Sequence, residues 1–190
     1  MSAKKDKWDE AYKGADFSVS KPAQVLEDNA YLLPASGEAL DLACGRAGNS
    51  QFLAKRNFAV DAIDISPVVL GGLRKFVKQQ GLNISCELRD IEREGLGNKR
   101  YDVIVVSYFL NRQLFPQINS ALKPGGLLFY QTWSREKVDE SGPSNPAFRL
   151  EAGELLELCS PLKIVCYREN GDLGDISEGL RNEAMIIAKK

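Results

Sequence analysis

Residues 39–50 read ALDLACGRAGNS, and this stretch decides the fold of the chain. The apolar run at residues 39–43 predicts a short strand that ends in Cys44-Gly45, and residues 49–56 have the pattern of a helix. A strand that turns into a helix through small residues is typical of open α/β sheets, in which ligands bind beyond the carboxyl ends of the strands. The small residues would let a ligand approach the backbone of this loop.

An acidic residue follows the next predicted strand. Residues 59–63 form a second apolar run, and Asp64 stands at its end, nineteen residues after Gly45. This spacing places a carboxylate beside the loop, where it can accept hydrogen bonds from a ribose diol. Dinucleotides and S-adenosylmethionine both suit such a site. The glycine triplet that holds a pyrophosphate is incomplete here, since Gly45 and Gly48 are present without the third glycine, and this favours adenosylmethionine.

Short apolar runs alternate with helical patterns through most of the chain, which predicts an α/β fold with one doubly wound, mostly parallel sheet. Further helices are predicted at residues 22–33, 67–80 and 113–122, and further strands at residues 84–88, 101–106, 127–132, 162–167 and 184–188. The last two strands are joined by a polar connection without a helical pattern. They should therefore form a hairpin whose final strand runs antiparallel to the others.

The composition excludes several classes of function. The chain has 190 residues, with 25 Lys+Arg against 26 Asp+Glu, a formal net charge of -1 and no histidine. The absence of a basic excess argues against nucleic acid as a partner, and the absence of histidine excludes triads and metal sites that depend on it. Four scattered cysteines without a C-x-x-C motif favour reduced thiols and no bound metal. Without an apolar run of membrane-spanning length, we expect a soluble cytoplasmic protein.

Several motifs together resemble one family. They are residues 8–12 (WDEAY), 40–50, 60–67, 101–115, 122–126 (LKPGG), 145–148 (NPAF) and 153–156 (GELL). In this combination the chain resembles a class I S-adenosylmethionine-dependent methyltransferase, closest to small bacterial tellurite-resistance-type and thiopurine-methyltransferase-like members. The resemblance implies a Rossmann-like seven-stranded sheet with an antiparallel C-terminal strand. It also implies one domain over residues 1–190, S-adenosylmethionine as cofactor and a small-molecule substrate.

The resemblance assigns the adenosyl contacts to two strand ends. Asp64 would hold the ribose hydroxyls, with Ile65 beside it in the cofactor site. Asp90 matches the acid that accepts from the adenine amino group, and Ile91 would pack on the ring. Asp90 could instead cap the short turn that follows it.

The methionyl contacts are assigned to the glycine loop and its surroundings. Asp41 should orient the methionyl amino group, directly or through water, and Ser107 would face the methionyl end. Arg46 would pair with the cofactor carboxylate or remain solvated. Three loop positions match glycines of the family. This chain keeps glycine at Gly45 and has alanine at the other two, Ala43 and Ala47.

The N-terminal segment and the acceptor side leave alternatives open. Trp8 and Tyr12 are four residues apart on a predicted helix, and residues 1–20 either anchor this segment to the domain or fold over the cofactor as a lid. No catalytic residue can be assigned. Tyr108 and Arg112 are candidates for contact with the acceptor, and Phe148 either caps the pocket or belongs to the core.

The function predicted is methyl transfer to a small molecule, such as a thiol or an oxyanion of tellurium or selenium. Such acceptors are already nucleophilic and need little help from a general base. Three alternatives remain: a binding module that kept the cofactor site and lost the acceptor site, a methyltransferase of RNA or protein, and a nicotinamide-dependent reductase. The alanine at position 47 motivates the first of these.

Overall fold

The computed structural model describes residues 3–190. Seven strands form one sheet, and their bounds are Gly37–Leu42 (β1), Phe58–Asp64 (β2), Ile84–Leu88 (β3), Tyr101–Ser107 (β4), Leu122–Trp133 (β5), Lys163–Glu169 (β6) and Glu183–Lys189 (β7). The strand order is β3-β2-β1-β4-β5-β7-β6. The first five strands run parallel to one another, and β7 pairs antiparallel with both β5 and β6. The predicted seven-stranded Rossmann-like fold with an antiparallel C-terminal strand is confirmed.

Helices cover both faces of the sheet. Their bounds are Ala3–Ala11 (α1), Gln24–Glu27 (α2), Gly48–Ala54 (α3), Pro67–Gln80 (α4), Ile91–Glu94 (α5), Phe115–Ala121 (α6) and Glu154–Leu158 (α7). Single 3-10 turns occur at Ala30–Leu32, Arg112–Leu114 and Pro146–Phe148. One apolar core lies between the sheet and α2, α3 and α4, and the other lies between the sheet and α5, α6 and α7. The interior strand β4 is almost continuously apolar because it is buried on both faces.

The helix predicted at residues 22–33 is wrong in extent. It is divided into α2 and the 3-10 turn at Ala30–Leu32. Asn29, which is buried between the two, donates its side-chain amide to the carbonyl of Val25 at 3.0 Å. Asparagine side chains that bond nearby backbone groups compete with helix formation, so the helical pattern of the sequence does not persist through this residue.

The strand order reverses between β1 and β4. The first half of the sheet proceeds outward from β1 to β3, and the second half proceeds in the other direction from β4. Loops that leave the carboxyl ends of these two strands diverge to opposite faces and leave a crevice between them. This crevice is the place where the ligand loop of residues 43–48 and the end of β4 come together.

Candidate functional site

A cleft of about 540 Å³ opens at the carboxyl ends of β1, β2, β3 and β4. It is lined by loop residues that follow these strands, by three side chains of the N-terminal segment and by the chain before α2: residues 43–49, 64–65, 89–92, 107–109 and 19–23, with Lys4, Trp8 and Tyr12. Its volume is in the range of small-molecule sites. The topology of the sheet places it where open α/β folds bind their ligands.

The glycine-type loop has three residues in the left-handed backbone conformation, Ala43, Gly45 and Ala47, with φ of 57°, 49° and 58°. Two of these positions are alanine, although left-handed backbone strains L-residues and is less costly for glycine. The Ala47 side chain is fully buried within the loop. Gly48 occupies the tightest position, because a Cβ there would lie 1.9 Å from the carbonyl oxygen of Lys21. Because the backbone at residue 48 lies against the backbone of Lys21, glycine is required at position 48 and not at position 47.

Asp64 is fixed at the end of β2 by two backbone groups. Its carboxylate accepts from the N–H of Gly45 at 2.9 Å and from the N–H of Ser66 at 2.9 Å. Burial raises the pKa of this carboxyl, and only 6% of the residue is exposed. Each oxygen retains a second lone pair. The residue thus joins the glycine-type loop to the start of α4 and can still accept hydrogen bonds from a ligand diol.

Asp90 precedes the one-turn helix α5 and faces the same cleft. Its backbone N–H donates to Glu94 at 2.9 Å, but its side chain makes no capping hydrogen bond. The Asp90 carboxylate therefore does not cap α5, which was the alternative prediction for it. Ile91, 6% exposed, and Ile65 line the cleft beside the two acids. Carboxylates at two strand ends with apolar side chains next to them suit a nucleoside, which presents both a diol and a flat ring.

Asp41 lies behind the cleft and does not line it. It is fully buried, and its oxygens accept from the Ser50 N–H at 2.9 Å, the Ser50 hydroxyl at 2.6 Å and the Asn49 side chain at 3.3 Å. Burial raises the pKa of Asp41 to about 6, although these hydrogen bonds oppose the shift. Its carboxylate fixes the start of α3 through these bonds. The contact of Asp41 with the methionyl amino group, directly or through water, remains a prediction.

Asn49, which donates to Asp41, lines the cleft although Asp41 does not. Its side-chain amide donates to Ser107 Oγ at 3.0 Å, and its carbonyl oxygen accepts from the N–H of Ala23 at 2.8 Å. Asn49 and Ser107 both line the cleft. Sequence analysis missed Asn49, whose position directly after the glycine-type loop was the available signal.

The N-terminal helix α1 crosses the cleft. Trp8 and Tyr12 stack with ring centroids 5.7 Å apart, and the Tyr12 hydroxyl lies 2.8 Å from where a Cβ on Gly45 would stand. Lys4 Nζ lies 2.6 Å from a carboxylate oxygen of Glu92 on α5. A hydrogen bond of 2.6 Å from the Ser66 hydroxyl to Asp9 ties α1 to the start of α4. Burial raises the pKa of Tyr12, so its hydroxyl stays protonated at neutral pH.

Tyr108 and Phe109 line the cleft beyond the end of β4. Tyr108 has a φ of 56°, a conformation that is strained for a bulky residue. Its backbone N–H donates to the carbonyl of Gln131 at 2.9 Å, and its ring packs on Trp133 with centroids 5.3 Å apart. Arg46, which also lines the cleft, is exposed to solvent.

Arg112 and Phe148, the other acceptor-side candidates, do not line this cleft. The Arg112 guanidinium forms an ion pair with Glu154 and donates to the carbonyls of Ala147 at 2.9 Å and Arg149 at 3.0 Å. Phe148 is 48% exposed. Arg112 therefore joins the turn after β4 to the segment before α7, and its donors are engaged there.

S-adenosylmethionine fits the donors and acceptors of the cleft. Two acids can accept hydrogen bonds, from a ribose diol and from an amino group, and apolar side chains lie where a purine would pack. Gly45 and Gly48 keep side chains out of the loop, and Asn49 and Ser107 offer polar groups at the other end. The fold and the site together define a Rossmann-like nucleoside-binding domain of the methyltransferase type.

Comparisons with known proteins agree with that class. Residues 39–126 match a family model described as a methyltransferase domain. The chain is 31% identical over 167 residues to the probable S-adenosyl-L-methionine-dependent methyltransferase TehB of Haemophilus influenzae, covering 80% of this chain and 57% of that protein. It is 28% identical over 135 residues to a ubiquinone biosynthesis O-methyltransferase of Coxiella burnetii, covering 68% of this chain and 58% of that protein.

Solved structures share the fold. The crystal structure of TehB from Haemophilus influenzae superposes with a TM-score of 0.71 at 24% identity, covering 98% of this chain and 67% of that one. A structure from work on the conversion of a disulfide bond into a thioacetal group during echinomycin biosynthesis gives a TM-score of 0.73 at 21% identity. The match covers 98% of this chain and 93% of that one.

The chain contains a methyltransferase domain and is similar to S-adenosylmethionine-dependent methyltransferases, whose cofactor is S-adenosylmethionine. The predicted resemblance to this family is confirmed. The match spans 58% of the length of the Coxiella burnetii relative and 57% of that of TehB. Within residues 3–190, no helix combines the length and the apolar character that a membrane crossing needs.

Proposed function

We propose that this protein transfers a methyl group from S-adenosylmethionine to a small molecule. The observation that carries the proposal is the pair of acids, Asp64 and Asp90, that face one cleft from the ends of β2 and β3. Each carboxylate has acceptor capacity that its own backbone contacts do not use. A nucleoside that offers a diol and an amino group at this spacing matches them.

The residues of the cleft divide into two groups in this proposal. Asp64, Ile65, Asp90 and Ile91 hold the adenosyl half. The methionyl half lies along the glycine-type loop, against Asn49 and Ser107, with the Arg46 guanidinium near its carboxylate. Asp41 acts indirectly, since its hydrogen bonds to Asn49 and Ser50 fix the end of the loop.

When bound, the cofactor supplies a methyl group on a positively charged sulfur, a leaving group that is already activated. The protein has to align the acceptor with this carbon and keep water out, and alignment alone can lower the barrier by about 7–11 kcal/mol. Helix α1 suits the second task. The Trp8 ring on α1 and the Tyr12 ring just after it line the cleft, and α1 contacts Glu92 on α5 and Ser66 before α4.

The N-terminal segment then serves as both anchor and lid. Its contacts with the body of the domain are polar and of a kind that can break and reform: the ion pair of Lys4 with Glu92 and the hydrogen bond of Asp9 with Ser66. A Trp8→Ala variant should bind S-adenosylhomocysteine more weakly while keeping its melting temperature within a few degrees. Equal affinity would mean that α1 is an anchor alone.

The acceptor is a small molecule, since the cleft is of small-molecule size and the chain carries almost no net charge. A thiol or an oxyanion of tellurium or selenium agrees with the resemblance to tellurite-resistance-type enzymes. A phenol is the other class, in keeping with the name of the ubiquinone biosynthesis relatives. The binding-module alternative is weakened, because the Ala47 side chain is buried within the loop and the close contact that requires glycine lies at Gly48.

Calorimetric titration with S-adenosylhomocysteine tests the cofactor site. Binding of this product by the folded protein is expected, and its absence would contradict the proposal. Transfer of a radiolabelled methyl group to a panel of thiols, metalloid oxyanions and phenols tests the reaction. Binding without transfer to any of them would favour the binding-module alternative.

A further inference from the structure

The ring of Tyr108 stands on the wall of the cleft in a backbone conformation that tyrosine rarely adopts. Tyr108 directly follows the last residue of β4, has a φ of 56° and is 47% exposed. The left-handed region is unfavourable for a bulky side chain, and a residue persists there only where its surroundings over-determine it. The contacts that hold Tyr108 in place therefore decide the shape of this wall.

Two contacts with β5 hold Tyr108. The first is the hydrogen bond of 2.9 Å from its backbone N–H to the carbonyl of Gln131. Gln131 is 1% exposed, and its side chain accepts from the N–H of Val25 at 2.7 Å and donates to the carboxylate of Glu183 at 2.6 Å. The second contact is made by the side chain, whose ring packs on that of Trp133 with centroids 5.3 Å apart. The backbone partner of Tyr108 is thus firmly placed, and the direction of its ring depends on Trp133.

Trp133, the last residue of β5, does not itself line the cleft. Its ring packs against the chain that follows it, and Gly142 approaches so closely that a Cβ there would lie 2.5 Å from a ring carbon. The guanidinium of Arg149 lies 5.9 Å from the ring centroid, within the range of a cation–π contact. Trp133 therefore joins Tyr108 to two residues that lie outside the cleft.

Arg149 fixes the segment that supports the Trp133 ring. This arginine is 4% exposed, and its guanidinium donates to three backbone carbonyls, those of Ser134 at 2.8 Å, Pro143 at 2.7 Å and Ser141. A buried charge is costly unless it is hydrogen-bonded, so these bonds persist in the folded state. They draw the two ends of residues 134–149 together beside Trp133. The segment is therefore a fixed support for the ring.

We propose that Trp133 is a positioning residue for methyl transfer, which keeps the Tyr108 ring on the acceptor side of the cleft. This inference rests on the proposed function and extends it to a residue outside the cleft. Residues 134–149, which hold Trp133, are then the part of the chain that tunes acceptor selectivity. The acids Asp64 and Asp90 stand at the ends of β2 and β3, and β1 separates these strands from β4. Trp133 therefore acts on the acceptor and not on the cofactor.

Loss of the Trp133 ring removes the support of Tyr108 but not its strain. The backbone of Tyr108 then gains by returning to a negative φ, which turns its side chain away from the wall. Methyl transfer depends on the alignment of the acceptor with the methyl carbon, and a displacement of about 1 Å can cost about a hundredfold in rate. A change at Trp133 should therefore appear in the use of the acceptor.

A mutant cycle between positions 108 and 133 tests the inference. The acceptor is the member of the panel of thiols, metalloid oxyanions and phenols that the wild type methylates fastest. We expect Trp133→Leu to lower kcat/KM for this acceptor by about ten- to a hundredfold, while Kd for S-adenosylhomocysteine changes by less than about twofold. In a Tyr108→Ala background the same change should alter kcat/KM by less than about twofold, because the residue through which Trp133 acts is gone. Equal losses in the two backgrounds would overturn the inference.

The matched control is Phe76→Leu in α4. It removes an aromatic contact of the same kind, that of Phe76 with Phe17 at 6.0 Å. This variant should have a lower melting temperature and an unchanged kcat/KM. A comparable loss of kcat/KM would attribute the effect of Trp133→Leu to stability alone and overturn the inference. Trp133→Phe, which keeps an aromatic ring against Tyr108, should restore most of the kcat/KM that leucine loses.

A crystal structure of Trp133→Leu with S-adenosylhomocysteine gives a readout that needs no acceptor. Tyr108 should have a negative φ and no longer line the cleft, and a Tyr108 that keeps its φ of 56° would overturn the inference. Should Trp133→Leu not fold, Gly142→Ala displaces the same ring and takes its place in the cycle and in the crystal. Failure of the wild type to bind S-adenosylhomocysteine would instead overturn the proposed function.

Discussion

The carboxylate of Asp64, at the end of β2, accepts a hydrogen bond of 2.9 Å from the backbone N–H of Gly45 in the loop that follows β1. The contact joins two features that lie nineteen residues apart in the sequence. It fixes the direction of the carboxylate and the left-handed conformation of the loop at once. The direction of the Asp64 carboxylate and the geometry of the loop are therefore coupled.

Replacing Asp64 should weaken cofactor binding. Asp64→Ala removes the acceptor for the ribose hydroxyls and the partner of Gly45, and we expect the affinity for S-adenosylhomocysteine to fall by about 1–3 kcal/mol, or roughly 5- to 150-fold. Calorimetry at pH 7.5 measures this, with the melting temperature of the variant as the check on folding. Unchanged affinity in a folded variant would refute the ribose assignment.

Cofactor affinity should also depend on pH through the same residue. Burial raises the pKa of Asp64, and a protonated carboxyl is a poorer acceptor than a carboxylate. The affinity for S-adenosylhomocysteine should therefore decrease as the pH falls toward the raised pKa of Asp64, because the carboxylate becomes protonated. Asp64→Asn, which does not titrate, should bind weakly with a flatter pH profile, and identical slopes for the two proteins would contradict the assignment.

Local pattern in the sequence was sufficient to predict much of the fold and the presence of Asp64 and Asp90 at one edge of the sheet. The alternation of apolar runs and helical patterns predicts a parallel sheet. Asp64 and Asp90 follow two of its strands, and they lie at the same edge because parallel strands have their carboxyl ends there. The hairpin of β6 and β7 followed from the absence of a helix between them. These features depend on neighbours in sequence, or on rules that hold for all parallel sheets.

The features that escaped prediction depend on partners far along the chain. Arg112 follows β4 as a cleft residue would, but the Glu154 carboxylate, which no local pattern connects to it, binds its guanidinium elsewhere. Glu183 gains its place from Gln131 on another strand. Asp41 matches its family position, yet Ser50 and Asn49 enclose it. Side-chain pairing across the fold, rather than secondary structure, decides these cases.

The tight contact at Gly48 predicts a large effect from one methyl group. In Gly48→Ala the new Cβ would lie 1.9 Å from the Lys21 carbonyl oxygen, so either the chain at residues 19–23 or the start of α3 must move. We expect a loss of about 1–3 kcal/mol in the free energy of unfolding and weaker binding of S-adenosylhomocysteine. Urea denaturation and calorimetry measure the two effects.

The matched control for this change is Gly71→Ala in α4. A Cβ at Gly71 meets nothing within 4 Å, and alanine favours the helix by about 0.5–1 kcal/mol. The control should therefore be neutral or stabilising, with unchanged affinity. A Gly48→Ala variant as stable as Gly71→Ala would show that the backbones do not approach as closely as described.

Arg112→Ala should release the segment before α7 without affecting the cofactor. The change removes the ion pair with Glu154 and two hydrogen bonds to backbone carbonyls, and we expect a loss of about 1–3 kcal/mol in stability and faster proteolysis of residues 134–149. Affinity for S-adenosylhomocysteine should be unchanged, since Arg112 does not line the cleft. Arg100→Ala, which removes an exposed guanidinium directly before β4, is the control and should alter neither property.

A change in stability with pH should originate from Asp41. Its pKa rises from an ordinary value of 3.8 to about 6 on folding because the residue is buried. The folded state thus binds the proton more tightly than the unfolded state, so this contribution to stability is complete below pH 3.8 and is lost as the pH rises through 6. The loss amounts to about 3 kcal/mol. Because Asp41→Asn cannot titrate, the free energy of unfolding of the wild type, taken relative to this variant, should decrease between pH 4 and pH 7.

Urea denaturation of both proteins at several pH values measures this difference, and parallel curves would contradict the assignment. Ser50→Ala provides a second check, since it deletes the hydroxyl that donates to the Asp41 carboxylate at 2.6 Å. A carboxylate that loses a donor is less stable relative to its protonated form. The window in which stability is lost should therefore move to higher pH in Ser50→Ala, and a shift in the opposite direction would show that the hydroxyl does not stabilise the ionised form.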